Sequence, residues 1–250
     1  MVRIEETFPN DLFKGQTIFI SGGSSGIGQT VAQGFAHTGA KVIATGSSAT
    51  KVEKANQENN LENIQYEVLD VRNYEAVKAR FASLDELHVL FNCQGVARPE
   101  SEWTEEEFLN VMDINLNSAM RLSREAFPHL KKTKGSIVNV ASMLSYLADA
   151  DVPSYTASKT GIVGLTRVLA HKYGIDGVRV NAIAPGYHKT NMTKPLWSVE
   201  ESAEKIANRS ALKRWGTTDD LVGPVLFLAS PAASFVTGIT LAVDGGYHIG

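Results

Sequence analysis

The feature that most constrains this chain is a glycine-rich turn, Gly22-Gly23-Ser24-Ser25-Gly26-Ile27-Gly28, set between two opposite periodicities. Before it, Thr17-Ile18-Phe19-Ile20 is a short β-branched and aromatic run. After it, Val31, Ala32, Phe35 and Ala36 recur at helical spacing, so strand, turn and helix follow one another directly. Missing Cβ atoms let such a turn tighten and approach a ligand, and the helix N-terminus offers free N–H groups to a phosphate. A glycine cluster alone is weak evidence. Placed after the first strand of an α/β chain, it favours a dinucleotide over a merely structural turn. Gly22, Ser24, Ser25, Gly26, Ile27 and Gly28 are therefore the first cofactor-binding candidates.

The alternation continues along the chain. Strands are predicted at Lys41–Thr45, Ile64–Leu69, Leu87–Phe91, Ile137–Val140, Val178–Ile183 and Ile239–Val243. Helices are predicted over 49–59, 73–82, 104–131, 154–173, from about Val199, and over 219–229. Seven short strands separated by helices imply an α/β fold, a doubly wound seven-stranded parallel sheet with helices on both faces. No linker or repeat divides it, so residues 1–250 read as one domain.

Composition narrows the function. Lysine and arginine number 24 against 27 acids, a net charge of −3, which gives no basic field for a nucleic acid. Hydrophobic residues at 43% and charged ones at 20% supply an ordinary globular core. The lone Cys93 has no disulfide partner, and no Cys/His spacing suits a metal. Neither an apolar leader nor a membrane-length apolar run occurs, so the expectation is a cytoplasmic protein with no membrane partner.

Tyr155 and Lys159 stand one helical turn apart, on one face of a predicted helix. Ser142 follows the predicted strand Ile137–Val140, at the sheet edge where ligands bind. A phenol with an ordinary pKa near ~10 needs a neighbouring cation to act as an acid–base group at neutral pH. A Tyr/Lys pair by itself is common on solvated helix faces. Joined to the glycine turn and the strand-end serine, it reads as chemistry.

These motifs together resemble the short-chain dehydrogenase/reductase family. The turn matches its T-G-x-x-x-G-x-G loop with Ser21 in place of threonine, and Ser142…Tyr155-x-x-x-Lys159 matches its active-site motif. The likeness runs from Gly15 to Gly246. It implies a Rossmann-type fold and an oxidoreductase that moves hydride between a nicotinamide cofactor and a carbonyl or alcohol substrate. Tyr155 would be the acid–base group and Ser142 would orient the substrate oxygen. Lys159 would hold the nicotinamide ribose and lower the Tyr155 pKa, and Asn115 would complete a proton relay. Pro185, Gly186, His188 and Thr190 match the loop around the nicotinamide, Asp70 and Val71 the pair beside the adenine, and Asp244-Gly245-Gly246 a C-terminal signature. Asn92-Cys93-Gln94-Gly95 departs from the family's Asn-Asn-Ala-Gly; Asn92 and Gly95 remain, and Cys93 reads as a small buried filler.

The second strand ends in Thr45-Gly46-Ser47-Ser48, with no acid to take a ribose 2′-hydroxyl, so NADP(H) is favoured over NAD(H). Gly46 and Ser47 are the candidates there. A lid is expected over 187–211, and His188 and Arg98 are candidates for a substrate carboxylate. Within the family, the segments around Ser142, Tyr155 and Pro185 are most similar to keto-sugar-acid and polyol dehydrogenases of the 2-dehydro-3-deoxy-gluconate 5-dehydrogenase type. A 3-oxoacyl-thioester reductase is the alternative, and a non-catalytic dinucleotide sensor or scaffold is the alternative of another class. Apolar residues on more than one face of 104–131 and 154–173, together with the resemblance, imply a homotetramer.

Overall fold

The computed structural model describes residues 7–250. Its first half runs β1 (Thr17–Ser21), α1 (Gly26–His37), β2 (Lys41–Gly46), α2 (Ala49–Glu58), β3 (Ile64–Val68), α3 (Tyr74–Ala82) and β4 (Val89–Asn92). There follow α4 (Glu105–Met112), α5 (Ser118–Thr133), β5 (Ser136–Val140), α6 (Pro153–Gly174) and β6 (Arg179–Pro185). The chain finishes with α7 (Lys194–Trp197), α8 (Glu200–Arg209), α9 (Val222–Ala229) and β7 (Thr240–Val243).

The seven strands form one parallel sheet in the order β3-β2-β1-β4-β5-β6-β7. The chain builds outward from β1 to β3, then crosses back to start β4 on the other side of β1. That reversal opens a crevice at the carboxyl ends of β1 and β4, where Ser21 stands beside Asn92.

Alternation along β1 explains why both faces are covered. Ile18 and Ile20 point into a core built with Val31 and Phe35 of α1 and Val225 and Leu226 of α9. Phe19, between them, joins Phe81 of α3, Leu122 of α5 and Leu169 of α6 on the other face. Each such side chain, fully buried, contributes about 1.5–3 kcal/mol relative to exposure.

The predicted helix over 104–131 is interrupted. Thr104 caps α4 as its position suggested, accepting from the Glu107 N–H, but residues Asp113–Asn117 form a π-turn between α4 and α5. The predicted helix over 219–229 also opens with a 3₁₀ turn, Thr218–Leu221, before α9. Polar side chains bond at both places, Asn115 of the π-turn to the distant Val96 and Ser158 and Thr217 locally to Asp220 at the 3₁₀ turn, and apolar spacing carries neither signal.

Candidate active site

The glycine turn lies against the chain that follows β4. Gly22 has φ +77°, and a Cβ there would stand 2.6 Å from the Gln94 nitrogen. A Cβ on Gly28 would run into the Gly22 carbonyl. Gly26 differs: at φ +54°, nothing lies within 4 Å of where its Cβ would be. Ser25, the residue before α1, makes no side-chain cap, and the first turn of α1 holds no acid. Among the described residues the positive end of α1 thus carries neither a Ser25 cap nor an acid, with free space at Gly26, which fits a dinucleotide pyrophosphate.

Other candidates line the same sheet edge in different ways. Ser47 is exposed just beyond β2, while Gly46 is buried under Ser24. Asp70 carries an ion pair to Arg72 at 2.7 Å, and the Arg72 hydrogen bonds hold its carboxyl below the usual range. Val71 is buried beside it. The Asn92 side chain turns into the core, donating to Asn139 Oδ1 at 2.8 Å and Ser123 Oγ at 3.3 Å, so it ties β4 to β5 rather than presenting itself at the edge. Gln94 likewise donates to Ser118 Oγ at 2.8 Å, at the start of α5.

Ser142, Tyr155 and Lys159 converge on one cavity of about 110 Å³, shared with Ile27, Gly95, Pro185, Gly186, His188 and Thr190. Cys93, Met192 and Thr193 also line it. Asn115 stands behind the cavity wall. A Cβ on Gly95 would lie 3.4 Å from Lys159 Nζ and 3.5 Å from Asn115 Oδ1, so the two polar groups face each other across that glycine. The π-turn holds Asn115, whose amide bonds both the N–H and carbonyl of Val96 at 2.8 and 2.9 Å. A larger cavity, about 250 Å³, shares His188 and is lined by Arg214 and Asp244, but by none of Ser142, Tyr155 and Lys159. Arg98 lies outside both cavities, its guanidinium 3.8 Å from Glu107.

The electrostatics differ from expectation in one respect. Burial raises the Tyr155 phenol above its ordinary value, and a hydrogen bond with Ser142 pulls it back in part. Lys159 Nζ stands 5.6 Å from the phenol ring centre and donates to the Val140 carbonyl at 2.7 Å. Burial draws that ammonium down to about 8. In this structure, then, Ser142 rather than Lys159 is the group that lowers the phenol. Cys93, expected as a buried filler, is only half-buried and lines the cavity; burial of its thiol pushes it up to about 12, which leaves it protonated and poorly nucleophilic.

Among the described residues no helix is long and apolar enough to cross a membrane, and no His/Cys/Asp/Glu cluster could hold a metal ion.

Known proteins share both sequence and architecture with this chain. A family model described as enoyl-(acyl carrier protein) reductase matches residues 22–248. The 2-dehydro-3-deoxy-D-gluconate 5-dehydrogenase of Bacillus subtilis is 39% identical over 94% of this chain and 95% of its own length. The 3-oxoacyl-[acyl-carrier-protein] reductase of Vibrio cholerae is 33% identical over 94% and 98%. A gluconate 5-dehydrogenase from Burkholderia cenocepacia, solved with NADP and tartrate, superposes with a TM-score of 0.87 at 28% identity, over 96% of this chain and 98% of that one. With its glycine turn, its Ser142–Tyr155–Lys159 cluster and these matches along nearly its whole length, the chain belongs to the short-chain dehydrogenase/reductase family.

Proposed function

We propose that this chain interconverts a ketone and a secondary alcohol with a nicotinamide dinucleotide, NADP(H) in preference to NAD(H), and that its substrate is a keto-sugar acid or related polyol. The observation that carries the reading is the convergence of Ser142, Tyr155 and Lys159 on one cavity beside the open Gly26 turn. The relatives named for gluconate derivatives support the substrate class.

The nicotinamide, when bound, supplies or accepts the hydride. The other tasks fall to side chains. Tyr155 Oη gives a proton to the carbonyl oxygen in reduction and takes it from the alcohol in oxidation. Ser142, bonded to that phenol, orients the same oxygen. Lys159 holds the ribose of the cofactor, and Asn115, across Gly95, passes protons toward Lys159. Gly22, Ser24, Ser25, Gly26, Ile27 and Gly28 receive the pyrophosphate, Asp70 and Val71 the adenine, and Pro185, Gly186, His188 and Thr190 the nicotinamide end. Residues 187–211 form the lid, within which Trp197 Nε1 donates to the Thr190 carbonyl at 3.0 Å.

The test is a panel of keto-sugar acids, ketoses and 3-oxoacyl thioesters with NADPH and NADH, followed by nicotinamide absorbance. Turnover is expected with the sugar acids. Preference for the thioesters would favour the second reading, which the Vibrio cholerae relative supports. Tight dinucleotide binding without turnover on any substrate would favour a sensor or scaffold.

Cofactor preference has its own test, with a steric condition. An acid at position 46 is the simplest way to favour NAD(H), but a Cβ on Gly46 would lie 2.8 Å from the Ser24 Cβ and closer still to its hydroxyl. Gly46→Asp alone is therefore expected to weaken binding of both cofactors. Combined with Ser24→Gly, it should raise the NAD(H)/NADP(H) ratio of kcat/KM about tenfold or more, by repelling the 2′-phosphate. A ratio unmoved in the double variant would contradict the assignment of the β2 end.

The reading includes a cytoplasmic homotetramer. Leu109 of α4, Met120 of α5 and Val168 of α6 are 59%, 42% and 63% exposed, a group of apolar side chains left uncovered by the sheet. Light scattering should give about four times 27.1 kDa. A monomer peak at micromolar concentration would overturn it.

A further inference from the structure

Glu102 is a carboxylate with no exposed surface, and no lysine, arginine or histidine side chain bonds to it among the described residues. It sits in a 3₁₀ turn, Ser101–Trp103, on the loop between β4 and α4. Backbone and hydroxyl donors hold it instead. Oε1 accepts from the Arg98 N–H at 2.7 Å. Oε2 accepts from Ser154 Oγ at 2.7 Å and from the Tyr155 N–H at 2.8 Å, both in the first turn of α6. An ionised group removed from water needs such charge-assisted bonds, and removing its partners would be costly.

These bonds belong to a closed circuit. From Tyr155 the carbonyl accepts from Ser158 Oγ at 2.7 Å, and Ser158 Oγ accepts from Asn115 Nδ2 at 3.1 Å. Asn115 bonds both backbone groups of Val96, and two residues later Arg98 returns to Glu102. Outside the circuit, the Glu100 N–H reaches the Asp151 carbonyl at 3.2 Å and Trp103 Nε1 the Ala150 carbonyl at 3.0 Å. Glu100 adopts φ +69°, a region unfavourable for a residue with a side chain. That strain is held where the chain turns to bring Glu102 inward.

We infer that Glu102 is a positioning residue, clamping the first turn of α6 to the loop after β4 so that Tyr155 and Asn115 keep one fixed relation. The inference rests on Tyr155 being the acid–base group proposed above. A second consequence follows from charge. Cys93 from the loop after β4, Lys159 from the same helix and Glu102 from the 3₁₀ turn are the titratable groups facing Tyr155. The Glu102 charge helps keep the phenol protonated, so a merely structural bracket and a charged clamp give different pH behaviour.

The experiment compares Glu102→Gln, Glu102→Asp, Ser154→Ala and Tyr155→Phe with the parent enzyme. It reads kcat, NADPH Kd by fluorescence, melting temperature, and the acid limb of the pH–rate profile for alcohol oxidation. Glu102→Gln is expected to lower kcat about tenfold or more while NADPH Kd stays within about threefold, because misplacement of the acid–base group affects chemistry more than binding. Its acid limb should move to lower pH, since a charge that opposed phenolate formation is gone. Glu102→Asp should return the limb toward the parent value while kcat stays reduced, its shorter arm failing to span Arg98 and Tyr155. If Glu102→Gln does not fold, Ser154→Ala carries the test: kcat several-fold lower at unchanged Kd is expected. A folded Glu102→Gln with kcat within twofold, or with an unmoved acid limb, would overturn the inference, as would an unaffected Ser154→Ala. Activity retained by Tyr155→Phe would instead remove the acid–base assignment itself.

Discussion

Tyr155→Phe should lose ~10²-fold or more of kcat while its dinucleotide affinity stays within about threefold of the parent. The phenyl ring fills the space the phenol occupied, so packing against Lys159 and the cavity wall survives. What disappears is the one hydroxyl that both faces the cavity and bonds Ser142. Ser142 keeps its bond from the Leu144 N–H at 3.1 Å and stays in position, so the loss belongs to proton transfer. A variant retaining more than about a tenth of parent kcat would contradict the assignment.

Lys159→Met is expected to change three things at once. Affinity for NADP(H) and kcat both fall, because the ammonium holds the cofactor ribose in the proposed mechanism, and a ~10-fold or larger loss in each is expected. Stability moves the other way. Lys159 titrates near 8 when folded, against an ordinary 10.5, and the direction comes from burial. The folded state therefore binds this proton less readily than the unfolded one. Its contribution to stability is fully present above the unfolded value and is lost as pH falls through about 8. Below pH 8 the buried charge opposes folding by about 3 kcal/mol, of which about 1 kcal/mol is recovered through the bond to the Val140 carbonyl that methionine cannot make. A variant more stable than the parent by about 2 kcal/mol at pH 7, the gain fading toward pH 10.5, is the expected denaturation result. Equal stability across that range, with cofactor affinity unchanged, would remove Lys159 from both roles.

Lost function paired with gained stability is the result expected of a lysine kept in so dry a place for its chemistry. At 3% exposure it is held, among the described residues, by one carbonyl and by no carboxylate, an arrangement that packing alone would not select. The same reasoning applies to Glu102, a second buried ionisable group with no opposite charge bonded to it among the described residues.

Much of this was legible in local signals. Apolar period and glycine punctuation located every strand within a few residues. The turn before α1 could be recognised because strand, glycines and helix are contiguous, and Tyr155 and Lys159 share a face because helical geometry alone puts them there. Ser142 could be placed at a strand end for the same reason. The π-turn around Asn115 was not legible, since its cause is a set of bonds to Val96 and Ser158 far away in the chain. Asn92 reads as a cofactor contact by motif, yet its amide is engaged with Asn139 and Ser123.

By itself, then, the sequence determined the kind and order of the elements, the glycine turn before α1 and the Ser142–Tyr155–Lys159 set proposed to carry the chemistry, because each depends on residues close along the chain. Only the tertiary structure decided the rest. The strand order that opens the crevice between β1 and β4, the contact that sets Gly46 under Ser24, and the facing of Asn115 and Lys159 across Gly95 are all long-range. Glu102 is the clearest case. In the chain it is one acid among Glu100, Glu105, Glu106 and Glu107, and nothing local separates it from a solvated neighbour. Its burial, and its hold on Tyr155, come from closure of the loop after β4 onto the first turn of α6, a contact between residues 53 positions apart that no local period encodes.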